Sequence, residues 1–233
     1  MHKQSGMRIM DHLQSNIEKR PGGVVRASFP KLIDGPVYLN GSNSVGSYGA
    51  NSYLIIGESG NWMVDSPRFE PALVEQFRQW GGISQIFLTH RDDVADAARY
   101  ARAFGAERVI HARDRSAQPD AEMIIKGREE TVLGPARLIP TPGHTQGHAV
   151  LLWQDKYLFT GDHLFWSQEE RALRSGRDYC WYSWIEQIRS VEKLAAYSGV
   201  EWVLPGHGGR KQIPRGEFPE LIRESVQWMK RVA

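Results

Sequence analysis

Three short turns in this 233-residue chain carry side chains able to bind a metal ion. They are T-P-G-H-T-Q-G-H at 141–148, F-T-G-D-H at 159–163 and L-P-G-H-G at 204–208. Each places one imidazole or carboxylate, His144, Asp162 or His207, beside glycine and next to an apolar run. A fourth candidate, His90, ends the run I-F-L-T-H. Strand ends that each deliver one nitrogen or oxygen into a shared cleft are how an α/β fold assembles a metal site. His144, Asp162 and His207 are read as ligands because the three turns share one design. His148 is read as a structural hydrogen-bonding residue, and His163 as pointing away from Asp162 on an extended chain. His2, His12 and His111 have no supporting context.

The elements that must hold these turns follow from periodicity. Residues 1–35 are polar, broken by Pro21, Gly22, Gly23 and Pro30, and read as a lead-in to a single domain at 36–233. Strands are expected at 37–40, 52–56 and 62–65, the last two joined as a hairpin. Pro71 opens a helix that Gly81 and Gly82 end. A strand at 85–88, a helix at 94–104 and a strand at 108–110 complete the first half. The second half offers strands at 122–125, 136–139, 149–153, 157–160 and 201–204. Ser183 and Glu186 form a capping box for one helix, and a last helix runs from Pro219 to about Val232. Two such halves with helices outside predict a four-layer αββα sandwich of the α/β (α+β) class. Spacing alone leaves a doubly wound sheet open.

Composition narrows the function. Net charge is +2, from 29 basic and 27 acidic residues, which gives no electrostatic case for nucleic acid. Arg171, Arg174 and Arg177 read as a solvated loop. The single cysteine, Cys180, excludes a disulfide framework or iron–sulfur cluster within the chain and reads as an inert thiol. No stretch approaches a membrane span, so a cytoplasmic location is expected.

In order and rough spacing, G-A-N-S-Y-L-I-I, W-M-V-D-S-P, L-T-H, T-P-G-H-T-Q-G-H, F-T-G-D-H and L-P-G-H-G resemble the metallo-β-lactamase superfamily across about residues 37–210. The resemblance implies the αββα fold and one or two divalent metals, zinc first, with iron or manganese as alternatives. It also implies hydrolysis of a small ester, lactone or thioester by a metal-activated water. The chain departs from the family's H-x-H-x-D-H run, since it reads His90-Arg91-Asp92-Asp93-Val94-Ala95-Asp96-Ala97. Without a gap, Asp92 replaces the second histidine. With a two-residue insertion, Asp96 keeps the aspartate and Ala97 stands where the last histidine belongs. The expected first set is His90, His144 and Asp162 with Asp92 as fourth ligand; the second is Asp162, His207 and Asp96.

Asp92 or Asp96 is the candidate to orient the water and pass its proton on. Each also reads as a helix-cap residue, and Asp93 is expected as the N-cap. The aromatics of D-Y-C-W-Y-S-W at 178–184 read either as a substrate wall or as helix-start core. Two further functions stay open: a fold relative that has lost catalysis and binds a ligand or partner, and an iron-dependent redox enzyme. The expected partner is a small-molecule substrate.

Overall fold

The structure is a computed structural model and describes residues 29–42 and 49–233. Seven strands form the first sheet, in chain order: β1 (Lys31–Asp34), β2 (Val37–Ser42), β3 (Asn51–Ile55), β4 (Trp62–Val64), β5 (Gln85–Phe87), β6 (Glu107–His111) and β7 (Met123–Ile125). β1 to β4 pair antiparallel and β4 to β7 pair parallel. The parallel steps need crossovers, which α1 (Pro71–Gln79) and α2 (Ala97–Phe104) supply between β4, β5 and β6.

The second sheet contains β8 (Thr131–Leu133), β9 (Ala136–Pro140), β10 (Ala149–Trp153), β11 (Tyr157–Gly161), β14 (Trp202–Pro205) and β15 (Lys211–Gln212). Its spatial order is β15-β14-β11-β10-β9-β8. A separate hairpin, β12 (Phe165–Ser167) with β13 (Ala172–Arg174), precedes α3 (Trp184–Leu194). α4 (Phe218–Arg231) closes the described chain.

Strand side chains alternate between two apolar spaces, which makes the layering legible residue by residue. Tyr53, Ile55, Val64, Phe87 and Val109 of the first sheet meet Leu138, Leu151, Phe159 and Leu204 of the second. Their chain neighbours Leu54, Met63, Ile86 and Ile110 point the other way, onto Leu73, Phe77 and Tyr100 of α1 and α2. Val150, Leu152, Leu158 and Val203 likewise face Ile188, Val191, Ile222 and Met229 of α3 and α4. Three buried clusters therefore separate four layers, and the expected αββα sandwich is what the chain forms. The doubly wound alternative fails because two sheets face each other. Central strands buried on both faces read as continuous apolar runs, and those runs, not an alternation, locate them in the sequence.

Several boundaries differ from expectation. β1 lies inside the stretch read as a lead-in, while the remainder of that reading, at 1–28, falls outside the described residues. The second helix begins at Ala97, not 94, because Ala95 takes a positive φ of 33° that breaks the first turn. Asp93 is consequently not its N-cap; Asp96 holds that position, without a side-chain capping bond. Ser183 does cap α3, accepting from Glu186 N at 3.3 Å.

β6 leads toward the functional end and is tied to the β7 edge by one ion pair. Arg108 Nη2 and Nε reach Glu122 Oε1 and Oε2 at 2.8 and 3.0 Å, and Arg108 N reaches Glu122 Oε2 at 2.7 Å. The Arg108 guanidinium holds the Glu122 carboxyl down at about 2. A depressed acid stabilises the fold above its unfolded pKa and loses that contribution as pH falls through the folded value. Glu122→Gln is therefore expected to lower Tm at pH 7 and to show a shrinking deficit between about pH 4.5 and pH 2. Thermal melts at pH 7 and pH 2.5 test this; an equal deficit at both would refute it.

Candidate metal centre

Four candidate ligands sit in turns beyond the ends of strands. β5 continues through Leu88 and Thr89 to His90, β9 leads to His144, β11 to Asp162 and β14 to His207. Backbone bonds stitch the two sheets at this edge: Ala149 N to Thr89 O at 2.8 Å and Asn51 N to Gly206 O at 2.7 Å. Glycine is required where the turns approach one another. Gly161 has φ 49°, and a Cβ there would lie 2.6 Å from Thr89 Oγ1 and 2.8 Å from His148 Nε2. A Cβ at Gly206 would lie 2.6 Å from Asp162 Oδ1.

The imidazoles converge on one oxygen. Asp162 Oδ2 lies 3.8 Å from His90 Nε2, 3.8 Å from His144 Nε2 and 3.6 Å from His207 Nε2. Asp92 Oδ2 lies 3.5 Å from His144 Nε2 and 3.9 Å from His90 Nε2, and Asp93 Oδ2 lies 3.7 Å from His90 Nε2. All six separations exceed hydrogen-bonding length. They do match the spacing of donors around a shared ion: ligands about 2.1 Å from a tetrahedral metal stand about 3.4 Å apart. His90 Nε2, both nitrogens of His144 and Asp162 Oδ1 are buried with no hydrogen-bond partner. Buried polar atoms of this kind are costly unless something binds them. The residues therefore fit a divalent cation.

His90 is prepared for that role. Asp65 Oδ1 accepts from Thr89 N at 2.8 Å, and the Thr89 hydroxyl lies 2.9 Å from Asp65 Oδ2 and 2.9 Å from His90 Nδ1. When Thr89 donates its proton to Asp65, its oxygen accepts from His90 Nδ1, which leaves the Nε2 lone pair free. Burial pushes the His90 imidazole down to about 4, so it is neutral at pH 7. The His144 imidazole holds the Asp92 carboxyl below its ordinary value, so Asp92 is ionised.

Two compact donor triads are present among the described residues: His90 with Asp92 and His144, and His90 with Asp93 and Asp162. Both use His90. One nitrogen lone pair serves one ion, so the two triads cannot each hold an ion through His90 at the same time.

Asp96 stands apart from this group. Its Oδ2 accepts from Phe69 N at 2.8 Å and its Oδ1 faces Arg99 Nη1 at 3.4 Å. Ala97 is fully buried at the start of α2. Of these aspartates the structure brings Asp92 beside His90 and His144 and leaves Asp96 outside the group, while Asp93, expected as a cap, is turned inward. His148 Nδ1 lies 2.9 Å from Thr141 Oγ1. His163 is fully buried and stacks on His148 with ring centroids 4.8 Å apart, and neither imidazole joins the donor triads. His111 Nε2 reaches Gly127 O at 3.0 Å, away from the centre. His2 and His12 fall outside the described residues.

The aromatic segment divides between its two readings. Tyr179, Trp181 and Tyr182 are exposed, and the Trp181 ring lies 6.4 Å from that of His144. Trp181 N and Tyr182 N both donate to His144 O, at 2.9 and 3.1 Å. Trp184 instead packs on the α3–α4 core, with Nε1 bonded to Met229 O at 3.2 Å. Cys180 directs its thiol to Gly143 O at 3.2 Å, and burial raises its pKa, as suits an inert thiol. Arg174 pairs with Glu170 at 2.7 Å, while Arg171 and Arg177 are exposed. Sequence reasoning gave no role to Asp65, Thr89 or Asp114; Asp65 at least ends an apolar run, which was a usable signal.

Residues 45–207 match the family model described as the metallo-beta-lactamase superfamily. A hydroxyacylglutathione hydrolase of Anaeromyxobacter dehalogenans is 41% identical over 81 residues, covering 34% of this chain and 31% of that one. The Rhizobium etli hydroxyacylglutathione hydrolase is 30% identical over 152 residues, covering 60% of this chain and 57% of that one. The chain therefore spans 31% and 57% of the length of these two curated relatives. Among solved structures, the DIM-1 metallo-beta-lactamase superposes with a TM-score of 0.68 at 20% identity, covering 87% of this chain and 97% of its own. The metallo-beta-lactamase from Pontibacter korlensis gives 0.63 at 14% identity, with 86% and 97% covered. These structures share the fold. With the family model spanning most of the sequence, the chain belongs to the metallo-β-lactamase superfamily.

Proposed function

We propose that the chain is a metal-dependent hydrolase of a small thioester, ester or lactone. The observation that carries this reading is the convergence of His90, His144 and His207 on Asp162 Oδ2, beside buried donor atoms that bond nothing else. The names of the two relatives described above, both hydroxyacylglutathione hydrolases, support a thioester as the first substrate class to try.

His90, His144, Asp92 and Asp162 would hold one divalent ion, with Asp93 within reach. Zinc is the first candidate; three nearby carboxylates also suit iron or manganese. When bound, such an ion lowers the pKa of water toward about 7 and polarises a carbonyl oxygen. The remaining work falls to the chain. Asp92, whose side chain is 43% exposed, lies on the open side of the centre and orients a water while receiving its proton. Thr89 and Asp65 fix the His90 ring. Trp181 and Tyr182, tethered to His144 through their backbone, line the approach and bind the acyl group. A reducing, cytoplasmic setting is part of the proposal, supported by the lone Cys180. Among the described residues no helix is long and apolar enough to cross a membrane.

Elemental analysis of protein purified without chelator is expected to find one metal per chain, lost in both His144→Ala and Asp162→Ala together with thioesterase activity. Unchanged metal content in both variants would sink the assignment, and two ions per chain would sink the single-ion reading. The register is tested separately. Asp92→Ala should weaken metal retention at least tenfold. Asp96→Ala should leave it unchanged and cost about 1 kcal/mol of stability through the orphaned Phe69 amide. Competitive chelator titration and denaturant melts read the two effects, and a larger metal loss from Asp96→Ala would reverse the register.

A further inference from the structure

Between the turn bearing His90 and Asp92 and the turn bearing His144 lies a carboxylate outside both donor triads. Asp114 follows β6 and is fully buried. Its Oδ2 accepts from Arg91 N at 3.1 Å and from Thr145 Oγ1 at 2.5 Å; its Oδ1 accepts from Gly147 N at 3.0 Å. Arg91 separates His90 from Asp92, Thr145 follows His144, and Gly147 precedes His148. One side chain thus grips the first ligand turn once and the second twice.

The grip is rigid at both ends. Asp114 N bonds His111 O at 2.9 Å and Ala117 N bonds Asp114 O at 3.1 Å, which fixes the backbone that carries the carboxylate. A Cβ on Gly147 would stand 2.6 Å from Asp114 Cγ and 2.7 Å from Oδ1, so the second turn fits only as glycine. Hydrogen bonds from neutral donors to a buried carboxylate are among the stronger ones available. Partners one step behind a metal's ligands commonly govern its affinity by 10- to 100-fold.

We propose that Asp114 is a positioning residue that sets the separation between the His90–Asp92 turn and the His144 turn, and through it the geometry of the donor cage. This rests on the metal-centre reading above. The substitution Asp114→Asn keeps the shape but offers one acceptor oxygen and one amide donor. In either orientation the new NH₂ faces Arg91 N–H or Gly147 N–H, so one turn is released.

The test is titration of the full chain with Co²⁺, read as affinity and as the visible absorption of the bound ion. Asp114→Asn should bind Co²⁺ about 10- to 100-fold more weakly, with a changed spectrum. Thr145→Val, which removes only the hydroxyl contact, should move both readouts the same way by less. Glu122→Gln, remote from the centre, should lower Tm and leave affinity and spectrum alone. If Asp114→Asn melts earlier yet keeps the wild-type affinity and spectrum, Asp114 is merely structural and the proposal falls. Should Asp114→Asn fail to fold, Thr145→Val decides, and wild-type values there overturn it. A wild-type chain that takes up no Co²⁺ would instead defeat the metal-centre reading, and the positioning role with it.

Discussion

A carboxylate oxygen placed within 3.6–3.8 Å of three imidazole nitrogens, bonded to none of them, is the constraint around which this molecule is arranged. Protein atoms alone gain little from that arrangement. Lone pairs face one another across distances too long for hydrogen bonds, in surroundings that keep the His90 imidazole neutral. Holding them there requires rigid supports from two sheets at once. β5 approaches from one sheet, while β9, β11 and β14 approach from the other. The cross-sheet bonds from Ala149 N to Thr89 O and from Asn51 N to Gly206 O keep the two sets of strand ends in register. The sandwich is the frame, and its shared edge is where frame and chemistry meet.

The frame was largely legible in the residues. Leu151, Phe159 and Leu204 face one apolar space and Leu152, Leu158 and Val203 the other, and the resulting unbroken apolar runs announce strands buried on both faces. Leu73, Phe77, Ile188 and Val191 recur at helical spacing and announce the covering helices. Ser183 and Glu186 announced a helix start, and Ser183 does cap α3. What escaped was short or edge-bound. β1, β8, β15 and the β12–β13 hairpin have two to four residues per strand, and none of them is an unbroken apolar run.

The site was legible where a glycine-flanked turn follows an apolar run, as at His144, Asp162 and His207. It was illegible across 90–97, where the three aspartates Asp92, Asp93 and Asp96 compete for the same roles. Local rules favour Asp93 as a cap, because acidic side chains suit helix starts. The positive φ at Ala95 delays the helix to Ala97 and leaves Asp93 on the inner side. No local signal reports a backbone twist two residues downstream. Asp114 was equally hidden, since its partners Arg91, Thr145 and Gly147 lie 23 to 33 residues away in the chain.

The loop that carries Tyr179, Trp181 and Tyr182 meets the ligand turn through main-chain atoms: two amides on His144 O and a third, Ser183 N, on Gly143 O at 3.0 Å. Main-chain contacts are indifferent to side-chain identity. The exposed aromatic positions can therefore drift to other residue types while the imidazole they adjoin stays where it is. The side chains that border the approach and the backbone that holds His144 are thereby set by different atoms, and single substitutions at 179, 181 and 182 can reshape the first without rebuilding the second.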